Sequence, residues 1–255
     1  MTDVAGVPID WRLGVALAAI LLAGIAKGVT GMGLPIAGVP ILVALYGDLR
    51  MVLVVTILGS ATADIPLLWR YRARYRDATM LIGFGIFGIV GIIAGTQILA
   101  FVRPAILSGV LALVVIAFTI LSWLGRVPTI SQTLAARIGP AVGLVCGLLQ
   151  GSVGAAGPVT TSYLLSTQLP RAGFLFAINA TFFVLDWTQF FSLQRLGLTT
   201  PPVFAASVGV AVLCFIGLGI GFAIHDRIDD KVFRRGVLLM LGVAAVALIT
   251  RAARG

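Results

Sequence analysis

One glycine-rich pattern occurs twice in this chain. Residues 24–35 read GIAKGVTGMGLP, and residues 147–158 read GLLQGSVGAAGP. Three glycines and the closing proline recur at one constant spacing, and Lys27 of the first copy is matched by Gln150 of the second. The matched residues are Gly24, Gly28, Gly31 and Pro35, with Gly147, Gly151, Gly154 and Pro158. This duplication predicts two related halves, which we place at residues 11–126 and 135–252.

The sequence around the two motifs is strongly apolar. Of the 255 residues, 60% are hydrophobic and only 11% are charged, whereas a soluble domain carries about 25% charged residues. A membrane-spanning helix needs about 20 predominantly apolar residues. The long apolar candidates are 13–29, 51–69, 79–101, 105–124, 173–193, 202–224 and 236–249. The chain is therefore predicted to be an all-α polytopic membrane protein, with one transmembrane domain over residues 1–255.

Shorter apolar segments lie beside the two motifs. Residues 34–46, 138–150 and 158–167 are interrupted or bounded by glycine and proline. We therefore expect about eight membrane helices, with the first helix of each half broken at the motif, and up to ten helical segments in total.

The 18 Lys and Arg residues outnumber the 9 Asp and Glu residues, for a formal charge of +9. The bases lie between apolar runs, so membrane topology explains them better than a nucleic-acid partner does. If each motif folds back on itself, eleven bases lie on one face of the membrane and six on the other. The positive-inside rule favours this arrangement, which inverts one half relative to the other and places both termini outside the cytoplasm.

Other chemistry finds little support in the sequence. Cys146 and Cys214 lie in apolar stretches, and His225 is the one histidine, so we expect neither a metal site nor a cofactor. The GVTGMG stretch lacks the Gly-Lys-Ser/Thr ending of a phosphate-binding loop. No nucleophile and base pair stands out, and the chain is not expected to be an enzyme.

The duplicated motif itself suggests a binding site. Breaks in apolar helices free backbone groups that lipid cannot satisfy, and matched breaks in two halves point to the substrate site of a transporter. The helices that begin near Pro35 and Pro158 would direct free N–H groups at the breaks, which favours an anion. The alternative is that the glycines serve close helix packing, as small residues commonly do in membrane helices.

Three charged residues are predicted to lie within the membrane. Lys27 requires a counter-charge there, either a substrate anion or an internal partner such as Asp186, unless it extends to the interface. Asp64 and Asp186 follow the two motifs by about thirty residues and are candidates to carry protons. An interfacial ion pair with Arg70 is the alternative role for Asp64, whereas Asn179 lies about two turns from Asp186 and is expected to face one cavity with it.

Together these stretches resemble the sulfite exporter TauE/SafE family of bacterial membrane transporters. The resemblance covers essentially the whole chain and rests on residues 24–42, 56–60 and 91–104 in the first half, and on residues 147–165, 171–190 and 217–243 in the second. It implies export of a small anion such as sulfite, an organosulfonate or sulfoacetate across the bacterial inner membrane. The family's run of consecutive glycines is thinned here to GMGL and GAAG, which leaves the exact substrate open.

We therefore expect a secondary exporter of a small sulfur-containing or carboxylate anion that works by alternating access. Asp186 and, second, Asp64 are expected to carry a coupled proton. The expected anion-binding residues lie at the two breaks and on the helix of Asp186: Lys27, Thr30, Gly31, Met32, Gly33, Gln150, Ser152, Gly154, Ala155, Gly157 and Asn179. A passive anion channel is the alternative, followed by a cation or metal carrier. The sequence leaves monomer and homodimer open.

Overall fold

The structure is a computed structural model that describes residues 10–34, 38–124 and 129–224, without the side chains of residues 118–124. The regular elements of these ranges are all helical. Several expectations lie outside the described residues: the helix predicted over 236–249, the helix start at Pro35, His225, and the bases at 126 and from 227 onward.

Nine α-helices and one 3₁₀ segment make up the described part of the chain. They are α1 (Trp11–Thr30), α2 (Val39–Tyr46), α3 (Leu49–Arg70), the 3₁₀ segment Arg72–Leu81, α4 (Ile82–Phe101), α5 (Pro104–Leu124), α6 (Gln132–Val153), α7 (Gly157–Ser166), α8 (Arg171–Arg195) and α9 (Pro201–Ile224). Within the described ranges, six helical stretches are long and apolar enough to cross a membrane: α1, α3, α4 with the preceding 3₁₀ segment, α6, α8 and α9. The predicted all-helical membrane architecture is confirmed.

One segment differs from the prediction. Residues 138–150, expected to form a short helix, belong to the 22-residue helix α6. The helix begins earlier because the Ser131 side chain accepts a hydrogen bond from the backbone N–H of Leu134. Pro140 lies inside α6 without ending it. Membrane helices tolerate such a proline because neighbouring groups satisfy the freed backbone.

Each glycine motif is followed by a short helix that folds back. The backbone N–H of Ile130, just before α6, donates to the carbonyl of Ser166 at the end of α7. The Tyr163 hydroxyl on α7 likewise donates to the carbonyl of Ala135 near the start of α6. At the end of α2, Tyr46 lies close enough to Asp10, the N-cap of α1, to interact with it electrostatically. The two helices of each motif therefore form a hairpin that returns to the end at which it began.

The motif glycines allow close packing between helices that lie far apart in the sequence. A Cβ atom on Gly28 of α1 would lie 2.6 Å from the carbonyl oxygen of Leu218 and 2.8 Å from the Cα of Gly221, both on α9. A Cβ atom on Gly151 of α6 would lie 2.6 Å from the carbonyl oxygen of Ile92 on α4. Helix α1 thus packs on α9 and helix α6 on α4, so the packing role considered for the glycines holds at these positions.

This packing predicts a sharp contrast between two glycines of α1. Gly28→Ala is expected to destabilise the folded protein by about 1–3 kcal/mol, because the new methyl group overlaps the backbone of α9. The thermal unfolding midpoint in detergent is therefore expected to fall. Gly14→Ala is the matched control, since nothing lies within 4 Å of the position of its Cβ atom. Equal midpoints for the two variants would contradict the close α1–α9 contact.

Candidate functional site

Both long motif helices end at the third glycine of the motif. Gly31 (φ 77°) ends α1 and Gly154 (φ 70°) ends α6, each in the left-handed conformation that favours glycine. The backbone N–H of Gly31 donates to the carbonyl of Lys27, and that of Gly154 donates to the carbonyl of Gln150. The same capping geometry therefore places Lys27 and Gln150 one turn before the two breaks.

Lys27 is fully enclosed and has an internal counter-charge. Its side chain is 1% exposed, and its Nζ lies 2.7 Å from Oδ1 of Asp64 on α3, which is 0% exposed. Lys27 Nζ also donates to the backbone carbonyl of Ser60 at 3.3 Å. The side chain does not extend to the interface, and its internal ion-pair partner is Asp64, whereas Asp186 was the partner named from sequence.

The suggested interfacial pair of Asp64 with Arg70 is wrong. Asp64 is buried against Lys27, and the Arg70 guanidinium instead lies 4.9 Å from the ring centroid of Phe222. Apart from the ion pair with Lys27, neither carboxylate oxygen of Asp64 has a hydrogen-bond partner among the described residues. The placement of this carboxylate therefore depends on one cation.

Asp186 on α8 has neutral partners. Gln150 Nε2 donates to Asp186 Oδ1 at 2.8 Å, and the Ser60 hydroxyl donates to Oδ2 at 2.5 Å. Each of the two matched motif residues thus pairs with the buried acid that follows it in the chain, Lys27 with Asp64 and Gln150 with Asp186. Ser60 joins the two pairs, because its carbonyl contacts Lys27 and its hydroxyl contacts Asp186.

The network continues to the start of α7. Gln150 Oε1 accepts a hydrogen bond from the backbone N–H of Ala156, the residue before α7, at 3.3 Å. Gln189 on α8 donates through Nε2 to the carbonyl of Gln150 at 3.0 Å, and its Oε1 is buried with no hydrogen-bond partner among the described residues. Gln150 therefore links the buried carboxylate of Asp186 to the second break.

Sequence reasoning did not identify Ser60 or Gln189 as site residues. A signal was present, because Ser60 precedes Asp64 by one helical turn and Gln189 follows Asp186 by three residues. Residues at these spacings share a helix face. A polar residue on the same helix face as an intramembrane acid, three or four residues away, would therefore have indicated both site residues.

The remaining predicted residues lie at the breaks but outside this hydrogen-bond network. The hydroxyls of Thr30 and Ser152 donate to carbonyls of their own helices, Ala26 and Leu148. Met32 Sδ contacts the Thr161 hydroxyl, and Gly33 lies against the backbone of Ala23. Ala155 and Gly157 are buried.

Asn179 lies beside Gly31, where its Nδ2 would be 2.9 Å from a Cβ atom. That nitrogen donates to the carbonyl of Leu175 on its own helix, and its Oδ1 has no hydrogen-bond partner among the described residues. Asn179 thus lies at the first break and makes no hydrogen bond to Asp186.

A small cavity adjoins the network. Its polar lining comes from Thr56, Ser60, Gln150 and Gln189, and its other walls are Leu34, Val39, Leu53, Ile57 and Gly154. The space open to the centre of a water molecule is about 10 Å³. That is about the room one water requires, so the helices are closed around the network in this conformation.

Within residues 10–34, 38–124 and 129–224, no group of three His, Cys, Asp or Glu side chains is arranged to hold a metal ion. The polar atoms that meet at the breaks are instead one ammonium, two carboxylates, two amides and a hydroxyl.

Long apolar helices enclosing charged groups at two helix breaks are the architecture of a polytopic membrane transporter. The family model described as Sulfite exporter TauE/SafE matches residues 16–248, and the chain belongs to this family. It is a multi-pass membrane protein of a family of anion exporters, which are transporters and not enzymes. No curated protein and no solved structure matches the chain.

The Lys27–Asp64 pair predicts a specific pattern of stabilities. Lys27→Leu is expected to destabilise the protein by about 3–5 kcal/mol, because it leaves a buried carboxylate without its cation. Adding Asp64→Leu to that variant is expected to recover most of the loss, since both charges are then gone. Thermal unfolding in detergent measures both effects. Recovery from Asp186→Leu, and none from Asp64→Leu, would contradict the observed pairing.

Proposed function

We propose that the protein is a secondary transporter that exports a small anion by alternating access. The substrate class is sulfite, an organosulfonate such as sulfoacetate, or a related carboxylate. The observation that carries the proposal is Lys27, a cation buried at one of two matched helix breaks in a member of a sulfite exporter family. The transporter would lie in a bacterial cytoplasmic membrane with both termini outside the cytoplasm.

The helix contacts support two inverted halves. When the two halves are matched in chain order, α1 corresponds to α6, α3 to α8 and α4 to α9. The contact between α1 and α9 then corresponds to the contact between α6 and α4. The side chain of Asp77, shortly after α3, lies against Gly173 at the start of α8. The end of α3 and the start of α8 therefore meet, so these central helices run in opposite directions. Halves related by inversion are a common basis of alternating access.

The proposed anion site lies between Lys27 and the start of α7. Lys27 supplies the positive charge, and the α7 N-terminus supplies backbone N–H groups next to Gln150. The small cavity beside Ser60 and Gln189 marks the space that the anion would enlarge. Since one water nearly fills it, substrate binding requires the helices around the breaks to move apart, as alternating access demands.

The closed cavity also bears on the alternative of a passive channel. A channel requires a continuous path, and in the described conformation the cavity beside the polar network has a volume of only about 10 Å³. In proteoliposomes, an imposed pH gradient is expected to concentrate the anion, which a channel does not do.

Anion binding is expected to depend on Lys27. Lys27→Gln gives the first motif the residue of the second, and we expect the dissociation constant for the bound anion to rise about 10- to 100-fold, since a hydrogen bond to a charged group contributes about 1.5–3 kcal/mol. Stabilisation against heat by sulfite, sulfoacetate, methanesulfonate and simple carboxylates measures the affinities.

The matched control for this experiment is Arg195→Gln, which removes a positive charge from the exposed end of α8. This variant is expected to bind anions as the unmodified protein does. If Lys27→Gln and Arg195→Gln bind and transport every tested anion normally, Lys27 is not the anion site.

A further inference from the structure

We propose that the anion and the Asp64 carboxylate compete for the Lys27 ammonium, and that Asp64 takes up one proton each time an anion binds. This inference rests on the proposed anion transport and assigns its coupled proton to Asp64, whereas the sequence ranked Asp186 first. The ion pair at 2.7 Å is then the substrate-free state, in which a carboxylate of the protein occupies the place of the substrate.

The charge count of the network leads to this competition. Lys27 contributes one positive charge, while Asp64 and Asp186 contribute two negative charges when both are ionised. An added anion would bring further negative charge into an enclosed space of net charge −1, where charges are poorly screened. Binding of the anion therefore requires one carboxylate to become neutral.

The hydrogen bonds decide which carboxylate takes the proton. Asp186 keeps two donors, Gln150 and Ser60, whatever happens to Lys27. Asp64 has Lys27 alone, since its oxygens have no hydrogen-bond partner among the described residues. If the anion takes the ammonium, Asp64 becomes a buried carboxylate without any counter-charge, a state that proteins avoid by protonation.

Among the described residues, three titratable groups face Asp64 from the helices packed against α3. Lys27 lies on α1, Asp186 on α8 and Cys214 on α9. Lys27 favours the charged carboxylate and Asp186 disfavours it, so removal of Lys27 by an anion leaves only the unfavourable influence. Cys214 is a thiol that adds no charge in its protonated form. Asp64 therefore takes up a proton when the anion withdraws the Lys27 ammonium from it.

Charge balance gives the coupling a clear consequence. A monovalent sulfonate that moves with one proton carries no net charge, whereas a divalent anion such as ionised sulfoacetate carries one net negative charge. A membrane potential that is negative inside would therefore drive the divalent anion outward and leave the monovalent anion unaffected. Both anions would move in the same direction as the proton.

The experiment measures proton uptake on binding. Purified protein in weakly buffered detergent solution with a pH indicator is titrated with methanesulfonate and with sulfoacetate, which both stay fully ionised near neutral pH. We expect one proton taken up for each anion bound, and a dissociation constant that rises tenfold per pH unit on the alkaline side. Anion binding by the unmodified protein without proton uptake would overturn the proposal, even if no variant folds.

Matched substitutions of the two acids locate the proton. Asp64→Asn is expected to bind anions without proton uptake and with a nearly constant affinity across pH, whereas Asp186→Asn retains the uptake of one proton. The opposite outcome, with uptake lost only in Asp186→Asn, overturns the assignment to Asp64. If neither methanesulfonate nor sulfoacetate binds at all, while the protein remains folded, the proposed anion transport fails and this inference fails with it.

Discussion

The buried ion pair between Lys27 and Asp64 is the interaction on which the rest of this structure depends. Removing two charges from water costs several kcal/mol per ion, and their attraction offsets that cost only with close geometry. The 2.7 Å separation provides that geometry, and Ser60 accepts a further hydrogen bond from the ammonium. This pair joins α1 to α3 at the polar network.

Close approach of backbones makes the central arrangement possible. Helices α1 and α6 carry Lys27 and Gln150 of the polar network, and they pack closely on α9 and α4 through glycine surfaces. A hydrophobic driving force is weak between helices in lipid, so small residues and close van der Waals contact matter more there. The first two glycines of each motif thus bring the polar residues together, while the third ends the helix beside them.

Much of this organisation could be predicted from the sequence. The long helices follow from runs of apolar residues, and the breaks follow from the duplicated motif. The pairing of Lys27 with Asp64 could not be predicted, because distances between helices depend on how they pack. The sequence also does not show that the hydroxyls of Thr30 and Ser152 donate to carbonyls one turn earlier in the same helix, because this local bond is open to any serine or threonine in a helix. Their roles in anion binding stay predictions. The inverted relation of the halves stays a prediction that the contacts support.

The exchange of glycine contacts between halves has a consequence for the ancestry of the protein. Neither half contains the partner for its own motif helix, since α1 packs on α9 and α6 packs on α4. A half-length ancestor with one motif would have satisfied that surface only by meeting a second copy inserted in the opposite orientation. Duplication and fusion would then have joined two oppositely oriented subunits into one chain. The presence of lysine in one motif and glutamine in the other is an asymmetry that a single chain permits and two identical subunits do not.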